Sequence, residues 1–131
     1  MAPARPRRGH SHCYERSYLI NGHYGPSNTF SSQNLIDGGS GRADGTGAYT
    51  KPIGRVPNRG AVYVVAANAS EVLYWHGGST AEFNPTPYPA MYYSALHTGS
   101  LVIDVNGKRL DAKMVRATGA VDDYFSIVKK P

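Results

Sequence analysis

The stretch Leu101-Val102-Ile103-Asp104-Val105-Asn106-Gly107, continued by Lys108 to Arg116, indicates the fold most directly. Apolar and β-branched residues flank an Asn-Gly dipeptide, which suits the two central positions of a type I′ turn because both need a positive φ. The sequence therefore predicts a β-hairpin with a two-residue turn at Asn106-Gly107.

The expected register of this hairpin places apolar residues on one face and charged residues on the other. Residues directly opposite each other across an antiparallel pair share a face, so one side of the hairpin packs on a core and the other meets solvent. We expect Asp104 and Asp111 to form salt bridges on the solvent face and not to act as a catalytic pair. Counting outward from the turn, the predicted pairs are Ile103 with Leu110, Leu101 with Ala112, and Asp104 with Arg109.

Composition extends this β-rich prediction to the whole chain. The 131 residues include 15 Gly, 9 Pro and 10 Tyr, and only 18% are charged. Such a composition is typical of strands joined by many turns, and the length is that of one domain. We expect a mainly β fold, an antiparallel sheet with hairpins.

Three further segments are predicted to be strands. Cys13 to Gly25 indicates a hairpin around Asn21-Gly22, in which His23 is a partly exposed strand residue. The apolar run Ala61 to Ala67 is typical of a central strand covered on both faces. Tyr124 to Val128 is predicted to be the closing strand.

The most glycine-dense stretch of the chain is 37–47. Its backbone N–H groups could cradle a phosphate, but it lacks the Gly-Lys-Ser/Thr ending of a P-loop. We expect a flexible surface loop there.

The charge of the chain is concentrated at its start. The formal net charge is +5, and Arg5, Arg7 and Arg8 supply three of those charges, which leaves about +2 for the rest. Residues 1–8 are predicted to be a disordered basic tail, and nucleic acid is not favoured as a partner. The sequence contains no apolar run of membrane-spanning length, and the basic residues 1–8 are not expected to be a secretory signal. With Cys13 as the single cysteine, no disulfide forms within the chain.

The stretch Gly9-His10-Ser11-His12-Cys13-Tyr14-Glu15-Arg16-Ser17 carries the chemistry. In an extended chain His10 and His12 project from the same face, so their imidazoles can approach one metal ion together. Neutral imidazole is the commonest protein ligand of zinc-like metals. Two ligands are not a complete site, because a catalytic zinc ion normally has three protein ligands.

This run resembles the last metal-binding motif of the calcineurin-like metallophosphoesterases, Gly-His-x-His followed by Tyr-Glu-Arg, and most of all the purple acid phosphatase-like group. Residues 9–131 accordingly resemble that group's C-terminal domain, a part of the α/β/β/α metallophosphoesterase sandwich with an incomplete core. Besides the motif, the segments that carry the resemblance are 59–66, 89–92, 99–107 and 120–125.

The resemblance implies a role for each residue of the motif. His10 and His12 would be ligands of a dinuclear iron, zinc or manganese centre that hydrolyses phosphate esters of the acid phosphatase type. Tyr14, Glu15 and Arg16 would support those ligands from outside the coordination sphere. In such centres the metals lower the pKa of a bound water and hold the phosphoryl oxygens.

The family's other ligand motifs do not occur in the 131 residues. These are Asp-x-His, Gly-Asp-x-x-Asp and Gly-Asn-His-Glu. We therefore expect a C-terminal fragment that is inactive alone, holds no metal centre by itself and contains no complete catalytic set. Its partners would be a phosphate ester in the parent enzyme and the missing N-terminal catalytic half. Family members are often exported, but the chain itself indicates no location.

Two other functions remain open. One is a mononuclear His-x-His zinc site completed across a homo-oligomer. The other is a non-catalytic β-rich module that binds an anionic or carbohydrate partner through basic and aromatic side chains. The residues in question are Arg5, Arg7 and Arg8 with Trp75, Tyr88, Tyr92 and Tyr93, although such aromatics more often cover the edge of a core.

Overall fold

A computed structural model describes residues 13–66, 68–69 and 89–131 of the chain. Nearly all of its regular structure is strand, which confirms the mainly β fold, and two short 3₁₀-helices cover Ser27–Thr29 and Ser32–Asn34. No helix among the described residues is long and apolar enough to cross a membrane. The strands are β1 (Tyr14–Ser17), β2 (Leu19–Ile20), β3 (Leu35–Asp37), β4 (Tyr49–Pro52), β5 (Val64–Ala66), β6 (Met91–Ala95), β7 (Gly99–Asn106), β8 (Arg109–Arg116) and β9 (Val121–Lys130).

These strands form three sheets. The largest has the order β4-β9-β8-β7, a second has the order β5-β1-β6, and β2 pairs with β3. All pairs are antiparallel, as predicted, except β4 with β9. A parallel pair needs a long connection between its strands, and more than sixty residues separate β4 from β9.

The core lies against the inner face of the four-stranded sheet. Leu19, Tyr49, Ala112 and Phe125 are buried together there. Burying one large apolar side chain contributes roughly 1.5–3 kcal/mol, so this cluster is a main source of stability. Half-buried residues packed around it are Val62, Val64, Leu101, Leu110 and Ile127.

The β7–β8 hairpin forms, but the predicted register is wrong. Each residue of β7 pairs with a residue of β8 that lies two positions further along the chain than expected. Asn106 is the last residue of β7, and the two-residue turn is Gly107-Lys108. Gly107 has φ +56°, whereas Asn106 and Lys108 keep negative φ, so a type I′ turn does not form. The observed pairs are Ile103 with Ala112, Leu101 with Met114, and Asp104 with Asp111.

The hydrophobic pattern could not separate these two registers. Moving the turn by one residue changes every pairing by two positions, and a change of two leaves each side chain on the same face. Only the turn conformation decides between them, and there the glycine occupies the first central position.

The predicted hairpin at Asn21-Gly22 is wrong. Gly22 has φ +71°, but Asn21 does not, and the chain does not turn back directly. Instead β2 pairs with β3, and Asn21 N donates to Asn34 O at 2.8 Å. The two 3₁₀-helices thus occupy the connection between the paired strands.

The run Ala61 to Ala67 is not a central strand in the described structure. Ala61 makes an isolated bridge to Ile20, only Val64–Ala66 forms a strand, and Ala67 lies outside the described residues. That strand, β5, lies at the edge of its sheet, and Tyr63 is 56% exposed. An apolar run shows that a segment contacts the core, but it does not show how many neighbours the strand has.

The closing strand is confirmed and is longer than predicted. β9 extends from Val121 to Lys130, and it lies between β4 and β8. The C-terminal segment is therefore an interior strand of the largest sheet.

The glycine-dense stretch 37–47 lies mostly at the surface, as expected, but two of its residues, Ser40 and Gly41, are buried. Ser40 is 8% exposed, and Gly41 O accepts a hydrogen bond from Ser126 N at 2.8 Å. Gly41 has φ +69°, and a Cβ there would lie 2.5 Å from the Tyr49 ring. A glycine is required because the backbone passes directly against that ring.

We predict that Asp104→Lys raises the free energy of unfolding by roughly 0.2–1 kcal/mol, because it replaces two like charges directly opposite each other with an attractive pair. In the register with Asp104 opposite Arg109, the same substitution would oppose two cations and lower stability. Urea denaturation measures the sign. Ser100→Lys, opposite Val115 on the same strands, is the control and should change little.

Candidate functional site

The predicted site residues divide between two parts of the chain. His10 and His12 lie outside the described residues, whereas Tyr14, Glu15 and Arg16 form most of β1. β1 is hydrogen-bonded to β5 on one side and to β6 on the other. The motif's continuation is therefore the central strand of its sheet.

Alternation along β1 sends its side chains in two directions. Tyr14 and Arg16 are on one face, and both are completely buried. Glu15 is on the other face, where its Cα partners are Val65 and Ser94.

Arg16 forms a buried two-point ion pair with Asp123 of β9. The Nε atom is 2.6 Å from Oδ2, and Nη2 is 2.8 Å from Oδ1. Both side chains are 0% exposed. Tyr14 Oη donates to the same carboxylate at 2.9 Å, so Asp123 accepts bonds from two residues of β1. The planar guanidinium matches the carboxylate with two parallel hydrogen bonds.

The rest of the Arg16 guanidinium is also enclosed. Nη1 donates to Ser40 O at 3.1 Å and to Tyr49 Oη at 3.3 Å. The guanidinium carbon lies 4.2 Å from the ring centre of Tyr92 and 4.9 Å from that of Phe125. Each of these contacts favours the charged form of the buried guanidinium.

The same contacts set the charges of this cluster. Burial acts to lower the pKa of Arg16, but the hydrogen bonds and charge of Asp123 outweigh it and raise that pKa. Burial, reinforced by the Asp123 carboxylate, raises the pKa of Tyr14, and burial raises the pKa of Tyr49 to about 12. Arg16 therefore stays charged and both phenols stay protonated at neutral pH. The guanidinium is completely buried and bonded within the protein, so it is not positioned to bind a substrate.

Asp123 was not identified from the sequence, although a signal was present. It shares the inward face of β9 with Phe125 and Ile127. An acidic residue at an apolar position of a strand predicts a buried cationic partner, because an unpaired buried charge is too costly.

A second ionic cluster lies at the same end of β9, around Asp122, the residue next to Asp123. His97 Nδ1 is 2.6 Å from Asp122 Oδ2, and Arg116 Nε donates to Asp122 Oδ1. The Asp122 side chain is 6% exposed, whereas His97 is 43% exposed. This cluster connects the segment before β7 to β8 and β9.

The other residues considered for catalysis or binding have structural contacts. His23 Nε2 is 3.0 Å from Thr29 Oγ1, and Asp111 accepts two bonds from Arg109, which confirms the salt bridge predicted for Asp111. Tyr92 contacts the Tyr18 ring edge to face, and Tyr93 packs against the Tyr14 ring at a tilt of 58°.

No metal-binding cluster is visible in the part of the chain that the structure describes. There, no three His, Cys, Asp or Glu side chains are arranged to hold an ion. The basic residues 5, 7 and 8 and the aromatic residues Trp75 and Tyr88, which the binding-module hypothesis uses, lie outside the described residues.

We predict that Arg16→Met lowers the free energy of unfolding by about 3–5 kcal/mol, because it leaves the Asp123 carboxylate buried without a partner. Adding Asp123→Leu should recover part of that loss, since both charges are then gone. Chemical denaturation followed by circular dichroism measures both changes. The control is Asp44→Asn, which breaks the Arg42–Asp44 pair where Asp44 is 60% exposed, and it should have little effect.

We predict that the free energy of unfolding of the wild-type protein decreases as the pH rises through the Glu15 pKa, and that Glu15→Gln removes this decrease. Burial raises the pKa of Glu15 above its ordinary 4.5, so the folded state binds this proton more tightly than the unfolded state. Stability therefore falls as pH rises from 4.5 through the raised pKa, and the variant should be more stable than wild type above that interval. Thermal melts from pH 4 to 8 measure this. Asp44→Asn should leave this interval unchanged, since its Arg42 bonds lower the Asp44 pKa to about 2.

Comparison of the chain with protein-family models, with curated proteins and with solved structures finds no match in any of the three. The function has to be argued from the motif in the sequence and from the geometry around β1.

Proposed function

We propose that the chain is the C-terminal portion of a purple acid phosphatase-like metallophosphoesterase. In this role it contributes His10 and His12 to a dinuclear centre of the complete enzyme and has no phosphatase activity alone. The reaction of the complete enzyme would be hydrolysis of a phosphate monoester.

One observation carries the proposal. The segment that follows the His-x-His pair is bonded through Tyr14 and Arg16 to Asp123, which belongs to another stretch with the family resemblance. Two distant parts of the resemblance are thus joined by a buried ion pair. Such an arrangement is what a rigid support for metal ligands requires, because ligands must be held to within a fraction of an ångström.

The exposed edge of the largest sheet supports the proposal that a further polypeptide binds this chain. Within the described residues β7 pairs only with β8, and its Val102 and Ile103 are 46% and 53% exposed. An exposed edge strand with large aliphatic side chains is a site where another polypeptide can pair. We propose that the N-terminal catalytic half covers it.

The described residues do not complete the metal site. They contain no cluster of three ligands, and the motif supplies only two histidines. A dinuclear centre needs about three protein ligands for each ion, so no hydrolytic step is assigned to this chain by itself.

The alternative of a carbohydrate-binding or anion-binding module has less support. Tyr92 and Tyr93, two of the four aromatics it needs, are engaged with Arg16, Tyr18 and Tyr14. Binding through the basic tail would weaken with salt and would survive removal of both motif histidines.

We predict that Mn²⁺ titrated into the purified chain selectively broadens the imidazole NMR signals of His10 and His12. Two imidazoles that are two residues apart can form a weak chelate when the segment is extended, whereas isolated histidines do not. His10→Ala or His12→Ala should each abolish the selective broadening. The matched control His23→Ala removes a histidine bonded to Thr29 and should leave it intact.

The same samples test the inactivity of the isolated chain. With p-nitrophenyl phosphate and added iron, zinc or manganese, we expect no turnover above the metal blank. Metal-dependent turnover that both His→Ala variants abolish would contradict the claim that the chain is inactive alone. Broadening that persists when both histidines are replaced would contradict the assignment of the ligands.

A further inference from the structure

A depression of about 400 Å³ lies at one end of the four-stranded sheet, beside the β7–β8 turn. Its apolar wall is formed by one side chain from each of three adjacent strands. Lysines from β4, the turn and β9 surround that wall. The residues are Val105, Leu110 and Ile127 with Lys51, Lys108 and Lys129, and Gly107 and Arg109, which is paired with Asp111, complete the lining.

The strand register places these groups together. Val105 pairs with Leu110, and Leu110 pairs with Ile127, so the three form one row across the sheet. Along the strands from that row, Lys51 is directly opposite Lys129. Like charges at directly opposite positions destabilise a sheet, so the protein bears a cost that a bound anion would relieve.

No carboxylate from the described residues lines the depression. Asp111 is on the opposite face of the sheet, where it binds Arg109 and Ser126. None of the ion pairs among the described residues includes the three lysines. Lys51 Nζ donates to Gly60 O at 2.6 Å, which holds this ammonium in place but leaves its charge uncompensated.

We propose that this depression binds a small amphiphilic anion, in which a carboxylate or phosphate group is joined to an aromatic or branched aliphatic body. The oxyanion would be held by the ammonium groups of Lys51, Lys108 and Lys129. The apolar body would cover Val105, which is 70% exposed, together with Leu110 and Ile127. This site is separate from the histidine motif and does not rest on the phosphatase proposal.

The lining favours this class over other anions. A bare inorganic phosphate would leave the apolar wall in water, and the volume is that of a small-molecule pocket. Single-stranded nucleic acid is bound by stacking its bases on aromatic side chains, and no aromatic residue lines the depression.

We predict saturable binding of 2-naphthoate by the full chain, followed by backbone NMR shifts of Val105, Leu110 and Ile127. Neutral 2-naphthamide should bind at least several-fold more weakly because it lacks the charge, and inorganic phosphate should cause no shift at the apolar wall. Raising the salt concentration should weaken naphthoate binding, since Lys108 and Lys129 are exposed and Lys51 is half-buried.

Lys129→Gln should weaken the binding by roughly 2- to 5-fold, which is the effect of one exposed charged contact. Lys130→Gln is the matched control, since the neighbouring residue projects from the opposite face of β9 and should not change affinity. The proposal is overturned by equal losses in the two variants, by equal binding of the amide, or by no saturable shifts. His10→Ala should leave naphthoate binding unchanged, so this result and the metal result are independent.

Discussion

The buried ion pair between Arg16 and Asp123 is the interaction on which the rest of the structure depends. It connects the central strand of the small sheet to an interior strand of the large sheet, and through Ser40 and Tyr49 it also holds the glycine-dense loop. The cost of removing two charges from water largely cancels their attraction, so such a pair adds little net stability. Its contribution is to position the two sheets, because a shift of one sheet against the other would break the two hydrogen bonds between the guanidinium and the Asp123 carboxylate.

That constraint bears directly on the motif. A His-x-His pair at the end of a mobile strand would be a poor metal site, because its two imidazoles would not keep their mutual geometry. β1 is instead paired on both edges and bonded to Asp123 from two of its four residues. The metal ligands proposed for the complete enzyme would therefore precede a strand that cannot shift without breaking a buried charge network.

The sequence was informative about strands and less so about their neighbours. Alternation and composition predicted the β7–β8 hairpin and β9, because burial of one face controls those patterns. The predicted register of the hairpin was wrong because the predicted and the observed turn leave the same residues on the inward face. The parallel pairing of β4 with β9 could not be predicted, because no sequence pattern near either strand indicates it. The histidine motif could be recognised in the sequence because its residues are consecutive. Asp123 could not be paired with Arg16 in this way, because the two are more than a hundred residues apart and only folding brings them together.

Arg16 and the three lysines of the depression differ in their surroundings. The surroundings of a cation indicate whether its charge stabilises the fold or is available to bind a ligand. Arg16 has a carboxylate, a carbonyl, a hydroxyl and two aromatic rings around it, so no capacity remains for a ligand. Lys51, Lys108 and Lys129 surround the apolar wall of the depression, and no carboxylate of the described residues lines that depression. Lys51 and Lys129 are directly opposite each other, and the proposed anion would neutralise the repulsion between them.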